Sequence, residues 1–295
     1  MNLEFGRLIT AMITPFNTDG SINIEESLKV ADYLIATGTD TLLLAGTTGE
    51  SPTLTFDEEL LLFKAVVAHC KGRAKVMAGT GSNCTRTAVN MTQKAEQCGV
   101  DAFLQVVPYY NKPSQAGMIA HFKEIAKSTK KPILLYNIPG RTGVNMEPET
   151  MKVLSAVENI IGVKEAAGSV DQVKQIRSAC PNDFLIYSGD DGLTVDFMQQ
   201  GACGVVSVAA HLIGDDLQTM MAHASDGNIE AAQLISKKYD PLFDVLFITS
   251  NPSPVKAALA LKGYKTETVR LPLVKVSEEE HKKVKTICDQ FNLLN

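Results

Sequence analysis

The chain has no tryptophan, and its 5 histidines are scattered without an H-E-x-x-H or related spacing. A zinc centre is therefore not expected. The six cysteines are Cys70, Cys84, Cys98, Cys180, Cys203 and Cys288, with no C-x-x-C pair and no histidine at metal-ligand spacing. They read as buried or incidental thiols of a reducing, cytoplasmic compartment. There is no excess of basic residues: 28 Lys and Arg stand against 33 Asp and Glu, a net charge of -5. That balance argues against a nucleic-acid footprint. No apolar run reaches the ~18 residues of a membrane span. Met1–Phe16 holds a short apolar patch but no basic start and no small-residue cleavage site, so it reads as mature protein. Gly79-Thr80-Gly81 lacks the third glycine of a nucleotide fingerprint and reads as turn geometry.

What is present is a recurrent alternation. Short runs rich in Val, Ile and Leu occur at Leu8–Ile13, Thr41–Ala45, Lys75–Ala78, Ala102–Val107, Ile133–Tyr136, Ile160–Lys164, Phe184–Tyr187 and Gly204–Val208. None alternates cleanly with polar residues, the mark of strands buried on both faces. Amphipathic helical patterns separate them, such as Ile119, Phe122, Ile125 and Ala126 on one face. Gly38, Gly99 and Gly201 each stand between a helical pattern and the next strand, where glycine accepts the left-handed closing conformation. Eight such units predict an α/β fold, a (β/α)8 TIM barrel, over residues 1–226. An open doubly wound sheet would usually place a glycine fingerprint after the first strand, and Thr14-Pro15-Phe16 is not one. Beyond the eighth strand, Leu217–Ala224, Ile229–Phe247 and Val255–Leu261 read as helices. Ser277 to Glu280 reads as a capping box opening a last helix to about Phe291. Residues 227–295 are expected to form a helical extension packed on the barrel.

In such barrels the site lies at the C-terminal ends of the strands. Lys164 stands out there, closing an otherwise apolar run. Burial lowers an ammonium pKa and leaves a usable amine, which attacks carbonyls to form an iminium. An ion pair at the barrel mouth, for instance with Glu165, explains the position equally well. Gly46-Thr47-Thr48-Gly49-Glu50-Ser51 follows the second run, and converging amides in such a turn bind anions; a plain βα turn is the alternative. Tyr109, Tyr110 and Tyr136 are candidate proton carriers, and Arg141 is a candidate carboxylate clamp. Asp190-Asp191 reads as the N-cap and acidic first turn of a helix rather than a metal site. The set describes carbon–carbon chemistry on an α-keto acid.

Six segments carry a resemblance over nearly the whole chain: Gly46–Leu54, Val107–Gln115, Tyr136–Thr142, Gly162–Ala166, Tyr187–Asp191 and Asn251–Lys256. With them the chain resembles the dihydrodipicolinate synthase family of pyruvate-lysine (class I) aldolases. The resemblance implies that Lys164 condenses with pyruvate and that Thr47, Tyr136 and Tyr110 form a proton relay, Tyr110 entering from a neighbouring subunit. It assigns the pyruvate carboxylate to Thr48, pocket positions to Gly189 and Val206, and the carboxylate of aspartate-4-semialdehyde to Arg141. It further implies no metal or organic cofactor, a homotetramer built from tight dimers, and a step of lysine biosynthesis through diaminopimelate. N-acetylneuraminate lyase shares the lysine and tyrosine, but Thr47-Thr48 and Arg141 fit the synthases better. A non-catalytic barrel module would be expected to lose parts of the relay, and every relay position is present. Ser51, Asn83 and Tyr109 match the lysine effector site of sensitive members. Phe56 and Glu59 replace histidines there, and Thr87 replaces a glutamate, so weak or absent inhibition by lysine is expected.

Overall fold

The computed structural model describes residues 3–294. Eight parallel strands close into a barrel in sequential order. They are β1 (Leu8–Ala11), β2 (Thr41–Leu44), β3 (Lys75–Gly79), β4 (Ala102–Val106), β5 (Ile133–Asn137), β6 (Ile160–Glu165), β7 (Leu185–Ser188) and β8 (Gly204–Ser207). Each lies within two residues of an apolar run in the sequence. β8 returns to β1 through the register Ile9 to Val206, which seals the sheet.

Successive strand residues point to opposite faces, and two apolar clusters follow from this. Ile9, Leu43, Met77, Leu134, Tyr187 and Val206 belong to the cluster inside the barrel. Leu8, Leu42, Phe103, Ile133, Val163 and Val205 belong to the larger layer between strands and helices. Helix closure follows the glycine reading: Gly38, Gly99 and Gly201 take φ of 97°, 88° and 92°.

Two predicted helices differ from the structure. The Ile229–Phe247 pattern divides into Ile229–Lys238 and Asp240–Val245. Pro241 sits in the first turn of the second helix, where its missing N–H costs nothing; inside one long helix it would break a hydrogen bond and clash. The helix after β8 starts at Ala210, seven positions before the amphipathic pattern begins, and kinks at Ile213. Its first turn, Ala210 to Ile213, is buried throughout, so no polar face exists there to give a period. The last helix, Glu278–Gln290, opens with the Ser277–Glu280 capping box. Among the described residues no helix is long and apolar enough to cross a membrane.

Candidate active site

Lys164 and Tyr136 are register partners on neighbouring strands, so both side chains enter the barrel at one level. Lys164 is 7% exposed, and its Nζ lies 4.2 Å from the centre of the Tyr136 ring. Among the described residues it has no hydrogen-bond or ion-pair partner. Burial lowers its pKa to about 8, with Asp191 opposing the drop and Arg141 adding to it. Glu165 does not pair with it. As the next strand residue, Glu165 points out of the barrel and accepts from Gln172 Nε2 at 3.1 Å and from the Ala167 N–H at 2.7 Å. The pairing alternative is therefore corrected by strand alternation. Gly189, just after β7, leaves the lysine its room: a Cβ there would lie 2.7 Å from Ala166 Cβ and 3.1 Å from Lys164 Cε.

Burial pushes the Tyr136 phenol up to about 12, against the charge of Arg141 and a hydrogen bond from Thr47. Thr47 and Thr48 follow β2 in a turn bracketed by two non-glycine residues at positive φ, Ala45 at 49° and Glu50 at 57°. Such conformations cost roughly 1–3 kcal/mol each and persist only where surrounding contacts enforce them. The contacts here are specific. Thr14 donates to Gly49 O at 2.7 Å, Lys256 meets Glu50 Oε1, and the Arg270 N–H donates to Glu50 Oε2 at 3.0 Å. No intrachain acceptor among the described residues takes the N–H groups of Thr47, Thr48 or Gly49. Successive amides left without partners in a turn are the kind of donors that bind anions.

A cavity of about 470 Å³ opens over this turn. Thr47, Tyr136 and Arg141 line it, and so do Ser51, Glu59 and Tyr109. Arg141 lies in the short helical turn Pro139–Thr142, exposed, with no hydrogen-bond partner for its guanidinium among the described residues. The loop that carries it is anchored at its far end. Asn137 Nδ2 donates to Asn145 Oδ1 at 2.7 Å, and the Met146 N–H donates to Asn137 Oδ1 at 2.9 Å. Val206 is 1% exposed on the inner face of β8. Tyr110 is not brought to this site by its own chain: it is 89% exposed at φ 71°.

In the same cavity lining Ser51 Oγ donates to Glu59 Oε1 at 2.8 Å. Burial pushes the Glu59 carboxyl up to about 7, with the Ser51 hydrogen bond working against it and Glu58 adding to it. Phe56 and Thr87 line the same cavity. Asn83 stands beside it, its Nδ2 donating to Tyr109 O at 3.2 Å.

The helix-cap reading of Asp190-Asp191 is corrected. The following helix, Thr194–Gln199, has Leu193 at its N-cap with no side-chain cap. Asp190 Oδ1 accepts from the Leu193 N–H at 3.2 Å within the turn before it. Asp191 is buried and turned to the end of β8, accepting from Ser207 Oγ and from the N–H groups of Val208 at 3.1 Å and Ala209 at 3.0 Å. Sequence reasoning gave no role to Asn251 or Lys256, and none to Asp191 beyond the helix start just corrected. Their partners lie up to 206 residues away, and no local pattern encodes such pairs. Among the described residues no three His, Cys, Asp or Glu side chains converge as a metal site would require.

An unpaired buried amine, a phenol beside it, a turn of unpartnered amides and a free guanidinium suit Schiff-base chemistry on a substrate with carboxylates. Comparison with known proteins agrees. A model described as the dihydrodipicolinate synthetase family matches residues 4–291. A 4-hydroxy-tetrahydrodipicolinate synthase of Halalkalibacterium halodurans is 49% identical over 292 residues, covering 99% of each chain. A solved structure of the Cyanidioschyzon merolae enzyme with lysine bound is 44% identical, with a TM-score of 0.97 over 99% of this chain and 100% of that one. The chloride-inhibited dihydrodipicolinate synthase of Acinetobacter baumannii, complexed with pyruvate, is 35% identical, with a TM-score of 0.95 over 98% and 99% of the two chains. The chain belongs to the dihydrodipicolinate synthetase family.

Proposed function

We propose that the chain catalyses the reaction of 4-hydroxy-tetrahydrodipicolinate synthases, joining pyruvate to L-aspartate-4-semialdehyde with subsequent cyclisation, in lysine biosynthesis through diaminopimelate. The observation that carries this reading is the unpaired, buried Lys164 against Tyr136, beside a turn of free amides. The neutral Lys164 amine attacks the ketone carbon of pyruvate. Tyr136, coupled to Thr47, carries protons to the departing oxygen, which leaves as water. The iminium withdraws electrons from the neighbouring methyl, which loses a proton and becomes an enamine carbon. That carbon attacks the aldehyde, and the aldehyde oxygen takes a proton to become the hydroxyl. The amine of the semialdehyde then attacks the iminium carbon, closes the ring and releases Lys164.

Thr48 and its turn hold the pyruvate carboxylate, Gly189 and Val206 shape the pocket, and Arg141 holds the carboxylate of the semialdehyde. Tyr110 completes the relay in a second copy of the chain, for which its exposure and positive φ are suited; the assembly is a homotetramer of paired dimers. Residues 1–226 are the catalytic barrel and 227–295 its extension, working in the cytoplasm. Ser51, Asn83 and Tyr109 remain at the possible effector region, but Phe56, Glu59 and Thr87 leave a diamino acid poorly matched, so lysine inhibits weakly or not at all.

The test is an assay of purified chain with pyruvate and the semialdehyde beside one with N-acetylneuraminate. Turnover of the first pair alone is expected; cleavage of the sugar acid, or no turnover of either, overturns the reading. For the shared relay, mixing Tyr110→Phe with Lys164→Ala chains should restore activity in hybrids. No recovery in hybrids verified by mass would place Tyr110 outside the site.

A further inference from the structure

The turn bearing Thr47 and Thr48 is held from the far end of the chain. Asn251 Nδ2 donates to Thr48 Oγ1 at 2.9 Å across a separation of 203 residues. Both residues are buried, Asn251 at 6% and Thr48 at 3% exposure. Lys256 and Arg270, from the same C-terminal stretch, grip the Glu50 carboxylate at the end of the turn. A threonine hydroxyl has one proton and two acceptor lone pairs. With Asn251 donating into the oxygen, the proton must go elsewhere, and no intrachain acceptor among the described residues receives it. A second feature separates the Asn251 amide from an ordinary packing group. Its Oδ1 is buried without a partner among the described residues. A side chain retained for packing alone would not bring an unsatisfied oxygen into the interior.

We infer that Asn251 is a positioning residue for the substrate carboxylate: by donating to Thr48 Oγ1 it aims the Thr48 proton, together with the free amides of the turn, at the incoming anion. The C-terminal stretch thereby takes part in selecting an α-keto acid over a carbonyl compound without the carboxylate. This rests on the proposed role of Thr48 in holding the pyruvate carboxylate.

The experiment is borohydride trapping of Lys164 as a function of pyruvate concentration, with acetone as the ketone that lacks the carboxylate. It uses the full chain and the variants Asn251→Ala, Asn251→Asp, Thr48→Val and the Thr48→Val/Asn251→Ala double. Losing one hydrogen bond aimed at a charged group should raise the half-saturating pyruvate concentration about tenfold in Asn251→Ala and in Thr48→Val. In Asn251→Ala the trapping rate at saturation, and trapping by acetone, should stay within about twofold. Asn251→Asp keeps the shape but only accepts, drawing the Thr48 proton away and adding a negative charge, so its half-saturation should rise further. The double variant should be no worse than the poorer single, because both changes remove the same interaction. If Thr48→Val leaves pyruvate capture unchanged, the reading of Thr48 itself fails. If Thr48→Val weakens capture but the Asn251 variants do not, or if the two effects add in full, the positioning role of Asn251 is overturned and that of Thr48 stands.

Discussion

Among the described residues two lysines lie buried, and their environments look alike at first. Lys164 is 7% exposed and Lys256 0%. Burial lowers the pKa of both. Each places its ammonium against an aromatic face, Lys164 at 4.2 Å from Tyr136 and Lys256 at 4.3 Å from Phe16. Their partners separate them. Lys256 is paired with Glu50 and donates to Thr268 O at 2.8 Å, and the Glu50 carboxylate works against the drop in its pKa. For Lys164 the Asp191 carboxylate also works against the drop, but through charge alone: among the described residues Lys164 has no ion pair or hydrogen bond, and it sits against Tyr136, which lines the cavity. A low lysine pKa is therefore not the mark of a nucleophile. What sets the proposed nucleophile apart is a low pKa without a hydrogen-bonded counter-ion, beside a residue that lines the cavity. Lys256 instead pins the strained turn that carries Thr47 and Thr48.

The largest expected effect breaks the comparison if it fails. Lys164→Ala should lose the pyruvate adduct and turnover by at least about a thousandfold, the range for removing a covalent nucleophile. Lys256→Met should keep the adduct, mapped by mass spectrometry after borohydride reduction, at Lys164 and at no other lysine. An adduct on Lys256 would reverse the two roles.

Stability should show the opposite order. Lys256→Met strands Glu50 buried without its partner, an expected loss of about 3–5 kcal/mol. Adding Glu50→Gln should recover part of it. Urea denaturation of the three chains measures both, and a Lys256→Met chain as stable as its parent would mean that the pair holds nothing together.

Arg141 sharpens the assignment of Lys164, whose pKa it helps to lower. Arg141→Ala should cost about 1.5–3 kcal/mol in kcat/KM for the semialdehyde, the worth of a charged hydrogen bond, and far less in iminium formation. Equal losses in the two half-reactions would make the residue structural. The same lysine sets a pH profile. Its neutral form grows as pH rises toward about 8. Trapping at sub-saturating pyruvate should therefore climb about tenfold per pH unit below that value and level off above it. A flat profile would show that another group controls the step.

The smallest effects concern Glu59, a buried acid with a hydroxyl partner but no cation. Its folded pKa, raised to about 7, stands above the ordinary carboxylate value, so ionisation opposes folding. Its contribution should fall as pH rises from the unfolded value toward about 7 and stay low above it. Glu59→Gln should remove that slope from denaturation curves, and an unchanged slope would put the titration elsewhere. Lysine titrated at sub-saturating pyruvate should give less than half inhibition at about a millimolar, where each tenfold in affinity is worth 1.4 kcal/mol; tighter inhibition would mean that Glu59 serves as a substitute anion.

Local chemistry was enough for much of this molecule. Strands buried on both faces must be apolar throughout, so all eight stood out as short runs, and helices with one wet face showed their period. Lys164 was visible because a charged group ends an apolar strand, and Arg141 because it stands in a Pro-Gly loop. The buried first turn at Ala210 was invisible for the converse reason: without a wet side there is no period to see.

Lys164 and Lys256 both interrupt apolar stretches, β6 and the helix Ser253–Leu261, so the linear pattern marks each equally. Folding decided between them. Strand alternation turned Lys164 inward and Glu165 outward, while chain closure carried Lys256 to Glu50 and Asn251 to Thr48 over more than 200 residues. A residue type and its period report burial and secondary structure, because those depend on neighbours in sequence. Whether a buried charge is paired or left free to react depends on atoms that only the closed barrel and its C-terminal segment bring within reach.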